Sequence, residues 1–232
     1  MVREHFPENG DSGPGSEREY SGPGTFGKIL QTFPLRIMVD ASHPFSEGIS
    51  GQAENYSRLS NIHYFRFIRD ETKLPESPLL FPVDSWEEAA WKATEIGDTI
   101  FLTTGSYNLE LFLRYVRKSG KRLVVRVLPD HQVIEKVRAL GVAARDIVAM
   151  QGPFSGEMNK ATFKMYNASV IVTKDSGRAG GTDSKISAAL KLKIPVVIIK
   201  RPKLKDSGEN TVYTYEQVLK KIQLLHSFQT SG

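Results

Sequence analysis

The chain has 232 residues, no cysteine and a formal net charge of +5, with 40% apolar and 25% charged residues. This excludes disulfides, thiolate metal sites and cysteine nucleophiles. No window approaches the ~18 uninterrupted apolar residues of a membrane-crossing helix, so a cytoplasmic protein without membrane association is expected. The mild positive excess suits polyanionic ligands, whereas no basic tract with interleaved aromatics and no zinc-finger spacing supports nucleic-acid binding.

Residues 1–25 carry Gly10, Gly13, Gly15, Gly22 and Gly24 among Ser, Pro and Glu. Such a segment buries too little apolar surface to offset its ordering entropy and is expected to be flexible. From Leu35 the pattern changes. LRIMVD reads as a strand, followed by the loop ASHPF and a helix from Glu47 to about Arg58, and HYFRFIR reads as the next strand. After a stretch broken by Pro75, Pro78 and Pro82, SWEEAAWKATEI opens with a Ser85–Glu88 capping box. Beyond Asp98, TIFLTTG, RLVVRVLP, DIVAMQGPFS, ASVIVTKDSG and VVIIK read as strands. The helices between them are LELFLRYVRKSG, closed by Gly120, then HQVIEKVRALG, GEMNKATFKMY and SKISAALKL. Thr214 and Gln217 form a second capping box ahead of the helix VLKKIQLL. Apolar strands alternating with helices define an α/β protein whose parallel sheet is covered on both faces.

The unusual residues fall directly after strands and before helices. In a parallel open sheet such loops gather at the carboxyl edge, where ligands bind, so one site or two adjoining sites are expected. KDSGRAGG spends Gly177, Gly180 and Gly181, with Lys174 at one end and Lys185 beyond the other. Its spacing is neither GxGxxG nor GxxxxGK[ST]. It fits a plain surface loop, or a nest of backbone N–H groups gripping an anion at a helix N-terminus, with Thr182 or Asp183 available as a cap. TTGS serves equally as a tight turn or as a phosphate or ribose contact. QGPFS offers Gln151 and Ser155 around a turn set by Gly152 and Pro153. His43 is held extended by Pro44, its imidazole directed at the crevice. Arg126 interrupts the apolar run VVRVLP and needs an anion, from a protein carboxylate or from a ligand. No Ser-His-Asp, HExxH or paired-carboxylate pattern is present, so the chemistry is expected to reside in a cofactor.

In order and spacing, DASHPF, FLTTGS, RLVVRVLP, IVAMQGPFS and VTKDSGRAGG with its following lysine resemble the signature blocks of the precorrin-6A reductases, a family that includes the cobalt-precorrin-6A reductases. The resemblance runs from about Ile37 to Pro202. It implies two Rossmann-like parallel-sheet domains and NADPH or NADH as cofactor. The implied reaction is hydride transfer to a double bond of the precorrin-6A, or cobalt-precorrin-6A, macrocycle, giving the 6B form in cobalamin biosynthesis. Under it, Thr104, Gly105, Ser106, Gln151, Gly152, Lys174, Asp175, Ser176, Gly177, Gly180, Gly181 and Lys185 are expected to face the dinucleotide. Ser42, His43, Phe45, Arg126 and Ser155 are expected to face the tetrapyrrole. The resemblance calls for no protein metal site, because any cobalt arrives with the substrate, and it leaves the oligomeric state open. Family members open with a strand, a Gly-Gly-Thr turn and a helix ahead of LRIMVD, which residues 1–24 do not spell. A truncated first domain is therefore expected, with 1–25 flexible, 26–97 a partial N-terminal domain and 98–232 the C-terminal domain. A non-catalytic nucleotide- or tetrapyrrole-binding protein, lacking turnover for want of those elements, stays open beside the reductase.

Overall fold

Strands as apolar as VIV of 170–172 and VVII of 196–199 hold only when both of their faces are covered, and the architecture follows from that demand. The computed structural model describes residues 35–69, 71–177, 180–202 and 210–227; the expected flexible segment 1–25 lies outside them. The elements run β1 (Ile37–Asp40), α1 (Glu47–Leu59), β2 (His63–Phe67), β3 (Leu80–Val83), α2 (Trp86–Ile96), β4 (Thr99–Leu102), α3 (Leu109–Ser119) and β5 (Arg122–Val127). They continue with α4 (His131–Ala139), β6 (Ile147–Ala149), α5 (Gly156–Met165), β7 (Val170–Lys174), α6 (Thr182–Lys191), β8 (Val196–Ile199), β9 (Thr211–Val212) and α7 (Tyr215–Ser227).

The strands form two sheets, both wholly parallel: β1-β2-β9, and β3-β8-β7-β4-β5-β6. In the larger sheet alternate residues serve opposite faces. Ile100, Leu102, Val125, Val170 and Val172 pack with α2, α3 and α4, while Phe101, Val124, Ile171 and Ile198 pack with α5 and α6. Full burial of each such side chain is worth about 1.5–3 kcal/mol, which makes this double-sided core the main source of stability. Among the described residues no helix is long and apolar enough to cross a membrane.

Both expected capping boxes are present. Ser85 Oγ accepts from the Glu88 amide at 3.0 Å, and Glu88 reaches back to the Asp84 amide at 3.0 Å. Thr214 Oγ1 accepts from the Gln217 amide at 3.2 Å, and Gln217 from the Tyr213 amide at 2.6 Å. Gly120 ends α3 at φ +68.

Sheet membership does not change at residue 97/98. The proline-broken stretch contains β3, which pairs with β8, and α2 packs on the same larger sheet. At the other end, β9 pairs with β2 through Arg66↔Thr211 and Phe67↔Val212. Tyr215 of α7 stacks on Phe67 at 5.4 Å between ring centroids. The first sheet thus takes strands from both ends of the described chain.

Candidate active site

From β4 the chain moves through β5 and β6 toward one edge of the larger sheet, whereas from β7 it moves through β8 toward the other. Because β4 and β7 are neighbours, the loops leaving their carboxyl ends diverge at a topological switch point, the usual ligand position in such sheets. The loop after β4 is tied to β7 by Thr103, whose amide and hydroxyl both donate to the Val172 carbonyl at 2.9 Å. Gly105 takes φ +81, and a Cβ there would meet open space. Ser106 closes the turn with its carbonyl, which accepts from Leu109 at 3.3 Å. Thr104 Oγ1 and Asn108 Nδ2 are buried with no hydrogen-bond partner among the described residues. A buried orphan of this kind costs about 1–3 kcal/mol, a cost that a polar ligand removes.

The loop after β7 is pinned from within. Asp175 Oδ1 accepts from Thr72 Oγ1 at 2.5 Å and from the Gly177 amide at 3.1 Å. Its Oδ2 lies 3.2 Å from Arg201 Nε. Ser176 binds Thr182 Oγ1 through its amide at 3.1 Å and shares a hydroxyl contact at 3.2 Å. Thr182 therefore folds back to hold the loop, and the N-cap of α6 is Gly181 at φ +67. Asp175 and Ser176 thus spend their side chains on loop geometry. Gly177 adopts φ +74. A Cβ on Gly180 would lie 2.1 Å from Ser176 Oγ and 2.4 Å from Ser176 Cβ. Gly180→Ala is expected to lower stability by about 1–3 kcal/mol through overpacking, read as a shifted denaturant midpoint with an unchanged m-value.

On the α5–α6 face, Arg126 is 5% exposed and Lys185 is 9% exposed. Arg126 Nη1 donates to Asn159 Oδ1 at 2.8 Å, and its guanidinium lies 4.3 Å from the Phe154 ring centroid. Lys185 Nζ donates to the Gly180 carbonyl at 3.0 Å. Burial lowers the Arg126 pKa to about 10. Burial, then the charges of Arg126 and Lys174, lower that of Lys185 to about 8. Arg126 is thus grouped with Lys185. Ser155 Oγ caps α5 by accepting from the Met158 amide at 3.1 Å. Gln151 and Gly152 are exposed.

On the opposite face, Phe45 packs against the α2–α4 core, edge to face with Trp86 at 5.9 Å, and Lys174 Nζ lies 5.4 Å from its ring centroid. His43 Nδ1 accepts from the Phe45 amide at 3.2 Å, which leaves the ring proton of the neutral form on Nε2. Burial, followed by the charges of Lys174, Arg69, Arg201 and Lys185, depresses the His43 pKa to about 4. Beneath this loop Asp40 and Arg66, both almost fully buried, form an ion pair at 2.6 Å. Tyr64 donates to Asp40 at 2.8 Å, the Ser42 amide donates to Asp40 at 2.9 Å, and Arg66 donates to Ser42 Oγ at 2.9 Å. Beside it opens a cleft of about 430 Å³ lined by Ser42, Pro44, Arg66, Phe67, Ile68, Arg69, Glu71, Arg201, Pro202 and Tyr213.

Sequence reasoning missed Arg66, Arg69, Arg201, Asn108 and Asn159. Arg66 carried the same signal as Arg126, a guanidinium inside an apolar strand. Among the described residues no group of three or more His, Cys, Asp or Glu could hold a metal ion.

Fold and site together define an α/β protein with cation-lined regions at the carboxyl ends of two parallel sheets. The chain matches the family described as precorrin-6x reductase CbiJ/CobK over residues 18–223, and it belongs to that family. It is 38% identical over 187 residues to the cobalt-precorrin-6A reductase of Priestia megaterium, covering 80% of this chain and 72% of the relative. It is 38% identical over 185 residues to that of Methanothermobacter thermautotrophicus, covering 78% of this chain and 60% of the relative. A solved structure of CobK precorrin-6A reductase superposes with a TM-score of 0.68 at 21% identity, covering 84% of this chain and 76% of that one.

Proposed function

We propose that this chain reduces a double bond of cobalt-precorrin-6A, or of its metal-free form, to the 6B level in cobalamin biosynthesis, with NADPH or NADH as hydride donor. One observation carries the two-site reading. The buried side-chain atoms lacking a partner among the described residues are Thr104 Oγ1, Asn108 Nδ2, Arg66 Nε and Thr211 Oγ1. The first two sit in the loop after β4. The other two sit on paired positions of β2 and β9, and Arg66 lines the cleft. The names of the relatives support the identity of the substrate.

The residues fit a dinucleotide at the carboxyl ends of β4 and β7, where Thr104, Gly105, Asn108, Gly177 and Gly181 would hold it. When bound, the reduced nicotinamide supplies the hydride. The chain's own task is alignment of two flat ring systems, which needs rigid loops more than a strong acid or base. Arg66 and Arg201 are already paired with Asp40 and Asp175, so their remaining N–H donors, together with the Arg69 guanidinium, would receive carboxylate arms in the cleft, and Phe45 would offer the adjoining face an apolar surface.

Purified protein with cobalt-precorrin-6A and each cofactor should consume NADPH or NADH at 340 nm. Tight binding of both ligands with no absorbance change would favour the non-catalytic alternative. His43→Ala is expected to lower kcat/KM for the macrocycle by about 1–3 kcal/mol with cofactor affinity almost unchanged. Since the imidazole is neutral throughout pH 6–8, that loss should be the same across this range. A loss confined to cofactor binding would move His43 to the dinucleotide side.

A further inference from the structure

Among the described residues, two cations on the α5–α6 face are buried without the counter-charge that burial requires. None of the salt bridges among the described residues involves Arg126 or Lys185. Their hydrogen bonds go to an amide oxygen and a carbonyl oxygen, both neutral. An ion taken out of water without a partner is penalised by several kcal/mol, and here the Arg126 charge also disfavours the ammonium form of Lys185. The surroundings are built to hold this arrangement. Asn159 is buried, and its Nδ2 donates to the Ser155 carbonyl at 3.1 Å and to Ser184 Oγ at 3.3 Å, which fixes its Oδ1 toward Arg126. Ser184 Oγ in turn donates to the Phe154 carbonyl at 3.1 Å, so the ring stacked on the guanidinium is anchored to the same helix as Lys185. Arg126 spends one of its five N–H donors on Asn159, and its planar fork suits an oxyanion.

Position says which anion. The unit β4–α3–β5 places a glycine turn at Gly105 and, on the neighbouring strand 21 residues later, Arg126. In dinucleotide-binding units the end of that second strand faces the phosphate-and-ribose end of the cofactor. The subsite also lies on the face of the sheet opposite the one that carries Phe45 and Lys174.

We infer that Arg126 and Lys185 form a single anion subsite that takes a phosphoryl group of the dinucleotide, with Asn159 and Phe154 as its positioning residues. This rests on the dinucleotide reading above and assigns Arg126 to the cofactor rather than to the tetrapyrrole. The phosphoryl group belongs either to the pyrophosphate bridge, common to NADH and NADPH, or to the 2′-phosphate of NADPH.

The test is calorimetric titration of the full chain, and of Arg126→Met and Lys185→Met, with NADH, NADPH and inorganic pyrophosphate, together with ligand-free melting curves. Each substitution should weaken dinucleotide binding about tenfold or more, as expected for losing a hydrogen bond to a charged group. It should abolish pyrophosphate binding and leave the ligand-free Tm unchanged or raised, because a buried like charge has gone. Equal losses for NADH and NADPH place the bridge in the subsite; a loss confined to NADPH places the 2′-phosphate there. Unchanged dinucleotide affinity in the variants overturns the inference, as does a lowered ligand-free Tm with normal binding. If a variant fails to fold, Arg126→Lys, which keeps charge but not the fork, should still weaken binding, and full affinity there overturns it. If the unsubstituted chain binds no dinucleotide, yet holds pyrophosphate that the variants release, only the cofactor reading fails.

Discussion

Asp40→Ala should cost about 3–5 kcal/mol of stability, the penalty for stranding one partner of a buried ion pair. Arg66 would be left in the first sheet without its carboxylate, and Tyr64 without its acceptor. The loop above would lose its anchor as well, since the Ser42 amide donates to Asp40. The substitution should therefore lower both the urea midpoint and kcat/KM for the macrocycle. Burial alone would raise the Asp40 pKa, but hydrogen bonds from Ser42, Ser50 and Tyr64 outweigh it and hold the carboxyl below 3.8. A group whose folded pKa is depressed contributes stability that is present above its unfolded value and lost as pH falls through the folded one. The acid limb of the stability profile below pH 4 should consequently be shallower in Asp40→Ala than in the unsubstituted protein. A variant that melts within 1 °C of the parent would show that the pair does not hold the first sheet together.

The ligand-free protein should become more stable as pH rises from 8 to 10. Lys185 has a folded pKa of about 8 against 10.5 when unfolded. Between these values the unfolded chain binds more protons than the folded one, so stability increases with pH. A difference of that size corresponds to about 3 kcal/mol over the whole interval. Above pH 10 the raised pKa of Tyr64 and the lowered pKa of Arg126 act in opposite senses, so the gain should flatten there. Lys185→Met should abolish the rise, and saturating pyrophosphate should shrink it by giving the ammonium a counter-charge. A flat profile from pH 8 to 10 in the ligand-free protein would contradict the burial of a strained cation at this position.

The larger sheet was legible because its strands are long apolar runs and its helices carry caps, as at Ser85 and Gly120. Two strands were not. LFPV carries Pro82 and follows Pro75 and Pro78, a pattern that argues against a strand, yet β3 pairs only with β8 at the sheet's edge, where proline is tolerated. The two residues Thr211 and Val212 are too few to show any alternation. Of the site, the glycines and lysines announced themselves by type and spacing. The pairing of Arg126 with Lys185 did not, since it depends on which face of β5 meets α6, and nor did the Asp175–Arg201 contact between residues 26 positions apart.

Strand β9 and helix α7 return to the first sheet after the whole of the second has been traversed, so the six-stranded unit is a closed insertion within the three-stranded one. A chain cut near Glu95 would strand β9 and remove β3 from the edge of β8. The mechanical behaviour follows from the same connectivity. Tension applied across Leu35 and Ser227 runs first through β1, β2 and β9, while the inserted sheet bears no load until they part. Under force the small sheet and the arginine cleft should open in a first step, with the loops after β4 and β7 released only in a second and larger extension.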